Sequence, residues 1–365
     1  MTANAKTQNA SLEGVRGAAA LLVVLYHAGA RVPSAIGNSY LAVDLFFVLS
    51  GFVICGAYGA LSNSAGLRTF VIRRFGRLWP VHIAAALLWT ATVNLSHIVE
   101  TGTSLGVPSL NHTVAILTFT QGLNLFPYLI GTKVAWSAGD EFYVCVVFGL
   151  LCLTLHGRAR VAGFAALAAA GYVIAVWASV AGEDCLHRGS CLSLTYSYGW
   201  ARALAGFFLG AIVAECKDMP ALRGVTRRVP QCLAALAVSL LLSLAGYAYS
   251  LALAAPLVFT VFVASLRTDC GPVARFFHER SFQYLGKISY SLYLGHAVLG
   301  PFYIVEMDTA GLGLIGRGVC LALFLAASIA LAHLLNRFVE VPFRERFRAW
   351  SVTDVDRMSY IHRPN

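Results

Sequence analysis

Charge is what this sequence has least of. Only 12% of its 365 residues are charged, 17 acidic against 27 Lys and Arg, where soluble domains carry about a quarter. That shortage excludes a water-soluble fold. Also lacking are CxxC pairs, Cys/His groupings at zinc spacing, low-complexity tracts and linker-like stretches, so neither a metal site nor a second folded domain is expected. Most of the nine cysteines sit inside apolar segments, where a thiol behaves as a small hydrophobe. Cys185 and Cys191 differ, since they bracket the polar loop EDCLHRGSC and can form a disulfide if it faces an oxidising compartment.

What is present is hydrophobicity spread along the whole chain, with 58% hydrophobic residues and a mean hydropathy of +0.70. Apolar segments run approximately over 12–32, 43–61, 78–97, 136–155, 161–181, 196–214, 230–249, 251–266, 283–305 and 313–335, each near the length that crosses a bilayer. The expected fold is therefore all-α, a polytopic bundle of about ten transmembrane helices over residues 1–340, followed by a basic cytoplasmic tail, 341–365. Gly17 to Ala30 resembles a signal-peptide core, but a longer apolar segment follows at once, so it is read as the first helix.

The formal charge of +10 does not point to nucleic acid, because the basic residues punctuate apolar segments instead of forming one exposed face. They order the topology. With both termini cytoplasmic, the inner loops hold Lys6, Arg16, the Arg68–Arg77 group, Arg158, Arg160, the Lys217–Arg228 group, Arg267, Arg275, Arg280, Lys287 and the arginines from Arg337 onward. The outer side keeps Arg31, Lys133, Arg188 and Arg317, which is the positive-inside pattern. A crossing at Thr113–Leu129 would invert every later loop, so this segment, with Gln121, Gly122, Asn124 and Pro127, is expected to be an outer or re-entrant helix.

Ionisable residues inside such spans carry a cost and are candidates for function. Arg16 and His27 are eleven residues apart, which at about 100° and 1.5 Å per residue puts them on one helix face roughly 16 Å apart. Arg16 then lies near the cytoplasmic surface and His27 deep. Asp140 and Glu141 follow Trp136 by about one turn, Arg202 lies about six residues into its span and His296 about nine beyond Lys287, so these groups are expected to reach a similar depth. A purely structural hydrogen-bonded network is the competing reading, with His296 as a packing residue and Asp44 as a partner of a helix dipole. RRFGRLWP, taken as a cytoplasmic turn, holds Arg73, Arg74 and Arg77, which can converge on a phosphate or simply obey the positive-inside rule.

Taken together, LEGVRGAAALLVVLYHA, AVDLFFVLSGFVI, RRFGRLWP, WSAGDE, RALAGFFLGAI and ISYSLYLGH, in this order across roughly residues 11–340, resemble the membrane acyltransferase 3 family. The resemblance implies an enzyme of the bacterial inner membrane that takes an acyl group, most simply acetyl, from acetyl-CoA or another acyl-CoA to a hydroxyl of a carbohydrate or glycolipid acceptor, as in O-acylation of polysaccharide, lipopolysaccharide or Nod factor. It implies His27 as catalytic histidine, Arg16 as its motif partner, Glu141 as the acid, Arg73, Arg74 and Arg77 beside the CoA phosphates, and no metal. Asp44, Arg202 and His296 are the expected substrate-side polar groups. The family spaces its Glu two residues from an aromatic pair; here Phe142 and Tyr143 follow Glu141 directly, which keeps Asp140 as a competitor. Imidazole can serve as base toward the hydroxyl or carry the acyl group briefly. The rival classes are a proton-coupled transporter with a His27–Glu141 relay and a non-catalytic scaffold.

Overall fold

The computed structural model describes residues 9–29, 34–309 and 311–361. Lys6 and Arg31, used above for orientation, lie outside the described residues. Twelve helices of nine or more residues organise the rest: α1 (Ala10–His27), α2 (Ala42–Tyr58), α3 (Ser64–Thr101), α4 (Leu110–Thr118), α5 (Trp136–Thr154), α6 (Gly157–Trp177), α7 (Gly199–Glu215), α8 (Arg228–Leu244), α9 (Ala255–Leu266), α10 (Arg280–Thr309), α11 (Leu314–Leu335) and α12 (Val341–Ile361). There are no strands among the described residues.

Among the described residues, six helical stretches are long and apolar enough to cross a membrane, including Ser39–Tyr58, Trp136–Thr154, Gly157–Gly182 and Tyr249–Leu266. Helix α1 owes its weaker apolar character to Glu13, Arg16 and His27, while α7 and α8 are only 17 residues each. The Thr113–Leu129 segment is indeed no span. It breaks after α4 into a short 3-10 turn, Thr120–Gly122, with Phe119 and Asn124 at positive φ.

One expected boundary is corrected. RRFGRLWP is no turn: Asn63 caps α3 by accepting from the Gly66 N–H at 2.7 Å, and the helix runs through the arginines and Pro80 to Thr101. A basic stretch carries no hydropathy signal, so its helicity was invisible to a search for apolar runs. Residues 341–361, within the stretch expected as a tail, form α12: a π-helical turn, Asn336–Glu340, joins it to α11, and it packs back on α3. Phe347 sits over Gly76, where an added Cβ would overlap its ring.

The bundle is built around two tight helix pairs, α1 with α10 and α2 with α7. A Cβ on Gly17 would stand 2.7 Å from the Phe282 carbonyl oxygen, and one on Gly210 would overlap the Val48 carbonyl. Small residues thus let the backbones touch, the usual means of helix association where lipid offers no hydrophobic drive. Asp269 anchors the start of α1, its carboxylate accepting from the Ser11 N–H at 2.8 Å and the Ala10 N–H at 3.1 Å. Helix α1 lies inside the bundle, with Ala20, Val23 and Val24 fully buried.

Candidate active site

The polar residues sort into two cavities and one sealed pair. Between α1, α2 and α3 a vestibule of about 390 Å³ is lined by Glu13, Arg16, Ser50, Arg74, Arg77 and Lys217. It shares Arg16, Ser50 and Arg77 with a waist of about 50 Å³ that continues between α5 and α10 to Glu141, Ser137, Tyr290 and Tyr293. Arg74 donates through Nη2 to Glu141 Oε1 at 2.8 Å, and Ser50 Oγ donates to the same oxygen at 2.9 Å. Arg77 has no hydrogen bond or carboxylate within ion-pair distance among the described residues, while Arg16 reaches Glu13 only loosely, at 3.7 Å.

The three α3 arginines therefore do not converge. Arg73 and Arg74 are adjacent in sequence, so their side chains leave the helix about 100° apart. Arg73 turns to α12, where its Nε donates to Ser351 Oγ at 2.9 Å. The cationic lining is instead Arg77 with Arg16 from α1 and Lys217, the last of which the sequence reading treated only as a topology marker.

At the other end of α1 a pocket of about 510 Å³ is lined by Tyr26, His27, Trp89, Lys133, His296 and Phe324. His27 Nδ1 lies 2.9 Å from the Val23 carbonyl and 3.4 Å from His296 Nε2; His296 Nδ1 lies 3.0 Å from the Leu292 carbonyl. A carbonyl can only accept, so both Nδ1 atoms carry hydrogen in the neutral rings. His27 Nδ1–H then points between the Val23 oxygen and the His296 Nε2 lone pair, which leaves His27 Nε2 as an unprotonated acceptor. A neighbour that fixes one ring nitrogen and frees the other is the arrangement a general base requires. His296, expected to act with substrate, is that neighbour. Glu141, expected to orient His27, is held by Arg74 and Ser50 instead.

Asp44 and Arg202 form the sealed pair. Arg202 donates through Nε and Nη2 to the two Asp44 oxygens at 3.1 and 2.7 Å, and its Nη1 donates to the Leu194 carbonyl at 2.6 Å. With 0% and 2% of their surface exposed, they have no face left for substrate. They brace the segment just after the Cys185–Cys191 disulfide, and the Cys191 carbonyl also accepts from Tyr40 at 2.7 Å. Of the two adjacent acids, Glu141 lines a cavity, whereas Asp140 is completely buried, packed against Gly122 and Gly199.

Sequence reasoning missed Lys133, Ser137 and Tyr293. Nothing in composition separates Lys133 from other loop cations, and a Ser and a Tyr in apolar helices read as ordinary packing. Tyr293 does share the SYSLYLGH stretch with His296, one helical turn before it.

An acyltransferase-domain family model matches residues 9–337. A Rhizobium radiobacter protein known as protein 2 of the picA locus is 33% identical over 154 residues, 38% of this chain and 78% of that protein. A Staphylococcus aureus protein (strain COL) named as a candidate O-acetyltransferase is 26% identical across 92% of this chain, as is its counterpart in strain N315. The chain spans 57% of the length of these staphylococcal relatives. No solved structure matches.

Proposed function

Because this chain belongs to the acyltransferase-domain family that its residues 9–337 match, as a membrane protein with several apolar spans, we propose that it carries acetyl across the bacterial inner membrane. The donor is cytoplasmic acyl-CoA, most simply acetyl-CoA, and the acceptor a hydroxyl of a surface carbohydrate or glycolipid. The topology that goes with this reading is ten crossings with both termini cytoplasmic. The arginine vestibule then faces the cytoplasm and the histidine pocket the outside.

The observation that carries the reading is the arrangement of opposite chemistries along α1. Arg16 and the unpartnered Arg77, with Lys217, form a cationic mouth suited to the phosphates of CoA, since guanidinium groups bind phosphate by charge-assisted forks. Eleven residues further along α1, His27 presents a free Nε2 to a pocket that also holds the Lys133 ammonium. In the transfer, the acceptor hydroxyl oxygen bonds to the thioester carbonyl carbon and its proton passes to His27 Nε2. The C–S bond then breaks and the proton goes to the leaving thiolate, so ester and CoA thiol are the products. Lys133 offsets the negative charge developing on the carbonyl oxygen. Attack by His27 Nε2 itself, with a short-lived acyl-imidazole, uses the same atom and the same pocket.

The His27–Glu141 relay of a proton-coupled transporter finds no support, because Glu141 is engaged by Arg74 and Ser50. Inside-out membrane vesicles supplied with radiolabelled acetyl-CoA test the proposal. Label should appear as base-labile ester on lumenal carbohydrate or glycolipid, and right-side-out vesicles should give none. Equal labelling from both sides, or label that depends on the proton gradient and not on the thioester, would contradict it.

A further inference from the structure

The waist that begins among the arginines stops short of the histidine pocket, and what stops it is a small hydrogen-bonded cluster. Tyr293 Oη and Ser137 Oγ are 2.7 Å apart, and each lies 3.2 Å from the Val134 carbonyl oxygen; with one hydrogen apiece, one hydroxyl donates to the carbonyl and the other to its neighbour. Tyr293 and Ser137 line the waist, whereas Val134 lines the histidine pocket with His27 and His296. Phe46, also on the waist, packs edge-on against the Tyr293 ring with centroids 5.8 Å apart. One aromatic side chain, tied by its hydroxyl to α5, thus separates the two cavities, and the space on its arginine side is about 50 Å³ against about 390 and 510 Å³ at the two ends.

We propose that Tyr293, latched by Ser137 and the Val134 carbonyl, is the specificity-determining residue of acyl transfer: it must swing aside for the thioester to reach His27, and the narrow space it vacates admits a short acyl group and rejects a long one. The choice of acyl group rests on the transfer reading above; the partition itself does not. The latch is held by two hydrogen bonds worth together about 1–3 kcal/mol, so an entering group can displace it. The neighbouring backbone is fixed, since α1 and α10 touch through Gly17 and Phe282, and a wider opening would need that pair to part.

The first arm of the test does not depend on activity. In a chain with its seven free cysteines replaced, Ser289→Cys places a thiol on the waist. A small impermeant methanethiosulfonate is then applied from the side of the Cys185–Cys191 loop, the outer face in the topology proposed above. With Tyr293 present, Ser289→Cys should stay unlabelled. Tyr293→Ala should raise its labelling rate at least tenfold, and Tyr293→Phe, which keeps the ring and loses the latch, should fall between. Equal rates in the parent and both variants, whether fast or slow, would overturn the proposal, and Tyr293→Phe decides if the alanine variant does not assemble. The second arm compares hexanoyl-CoA with acetyl-CoA by release of CoA thiol. Since a few methylenes in a fitted pocket discriminate by about 10–200-fold, Tyr293→Ala should raise the hexanoyl-to-acetyl ratio of kcat/KM at least tenfold. An unchanged ratio would remove the size-selecting role. If neither thioester is cleaved even by the parent chain, the transfer reading fails while the labelling arm still decides the partition.

Discussion

The arginine–carboxylate pairs Arg202–Asp44 and Arg74–Glu141 differ in what surrounds them. Arg202–Asp44 is bidentate and sealed, with side-chain exposures of 2% and 0%; Arg74–Glu141 has one contact at 2.8 Å and exposures of 11% and 17% beside the waist. All three guanidinium nitrogens of the sealed pair donate to protein, Nη1 to the Leu194 carbonyl just beyond the disulfide loop. The open pair leaves Glu141 facing a cavity that also holds Arg16 and Arg77. Buried charges of similar chemistry can therefore serve the scaffold or the reaction, and exposure to a cavity is what separates the two roles.

The sharpest way to break this contrast is at the sealed pair. Removing one partner of a buried ion pair typically costs about 3–5 kcal/mol because the other charge is stranded. Asp44→Ala should therefore greatly lower the yield of folded protein and its thermal midpoint in detergent. A well-folded Asp44→Ala chain that loses only turnover would move this pair into the site. At the open pair the signs reverse. Glu141→Gln keeps the shape and the Ser50 hydrogen bond, so the thermal midpoint should change little while kcat falls about 10–100-fold, as expected when a group supporting catalytic geometry is lost. A matching loss of stability would make both pairs structural.

The arginines of α3 provide a finer comparison on a single helix. Arg77→Gln should raise the KM for acetyl-CoA about tenfold or more, since a charge-assisted contact is worth about 1.5–3 kcal/mol, and should weaken its salt dependence. Arg73→Gln, whose native partner is Ser351, should leave the donor KM within about twofold, the scale of a surface contact. Equal effects would restore the convergent cluster inferred from the sequence.

The smallest effect is expected at Asp269, outside the spans. Burial pushes its carboxyl up, but the His278 side chain and the Ser11 and Ala10 N–H groups outweigh burial and hold it below its ordinary value. A depressed carboxyl adds stability that is complete above its unfolded value, near pH 4, and is lost as pH falls through the folded one. Asp269→Asn should cost about 0.5–2 kcal/mol, as a lost helix cap does, and should flatten the acid limb of a stability–pH curve below about pH 4. An unchanged acid limb would leave Asp269 without a capping role.

Most helices were legible because apolar runs mark them: the segment expected at 136–155 is α5, Trp136–Thr154, and that at 313–335 is α11, Leu314–Leu335. The start of α3 was not, since four arginines interrupt the apolar residues of 64–77 and its helicity is helped by the Asn63 cap and by packing under α12. Position along a helix was legible for Arg16, His27 and His296, because rise per residue fixes it, but the common layer expected of Glu141 was not met, since Glu141 lies on the waist with Arg16 and Arg77 and His27 in the pocket with His296. Azimuth was not legible. Whether His27 meets His296 or Glu141 depends on which helix lies beside α1, and that is set by close approach at Gly17 and Gly286, which composition does not disclose. The same gap hid the turning of Arg73 toward Ser351.

The most direct test of His27 as the reacting group is ester content on the cell surface, measured by mass spectrometry of glycans from a deletion strain complemented with the parent chain, His27→Ala or His296→Ala. Loss of a general base typically costs about 10²–10⁴ in rate. His27→Ala, inserted at parent levels and still able to bind acyl-CoA, should therefore give the ester content of the deletion strain. His296→Ala, which frees the ring without removing it, should give a reduced but measurable amount. Parent-level ester from a well-inserted His27→Ala chain would contradict the account.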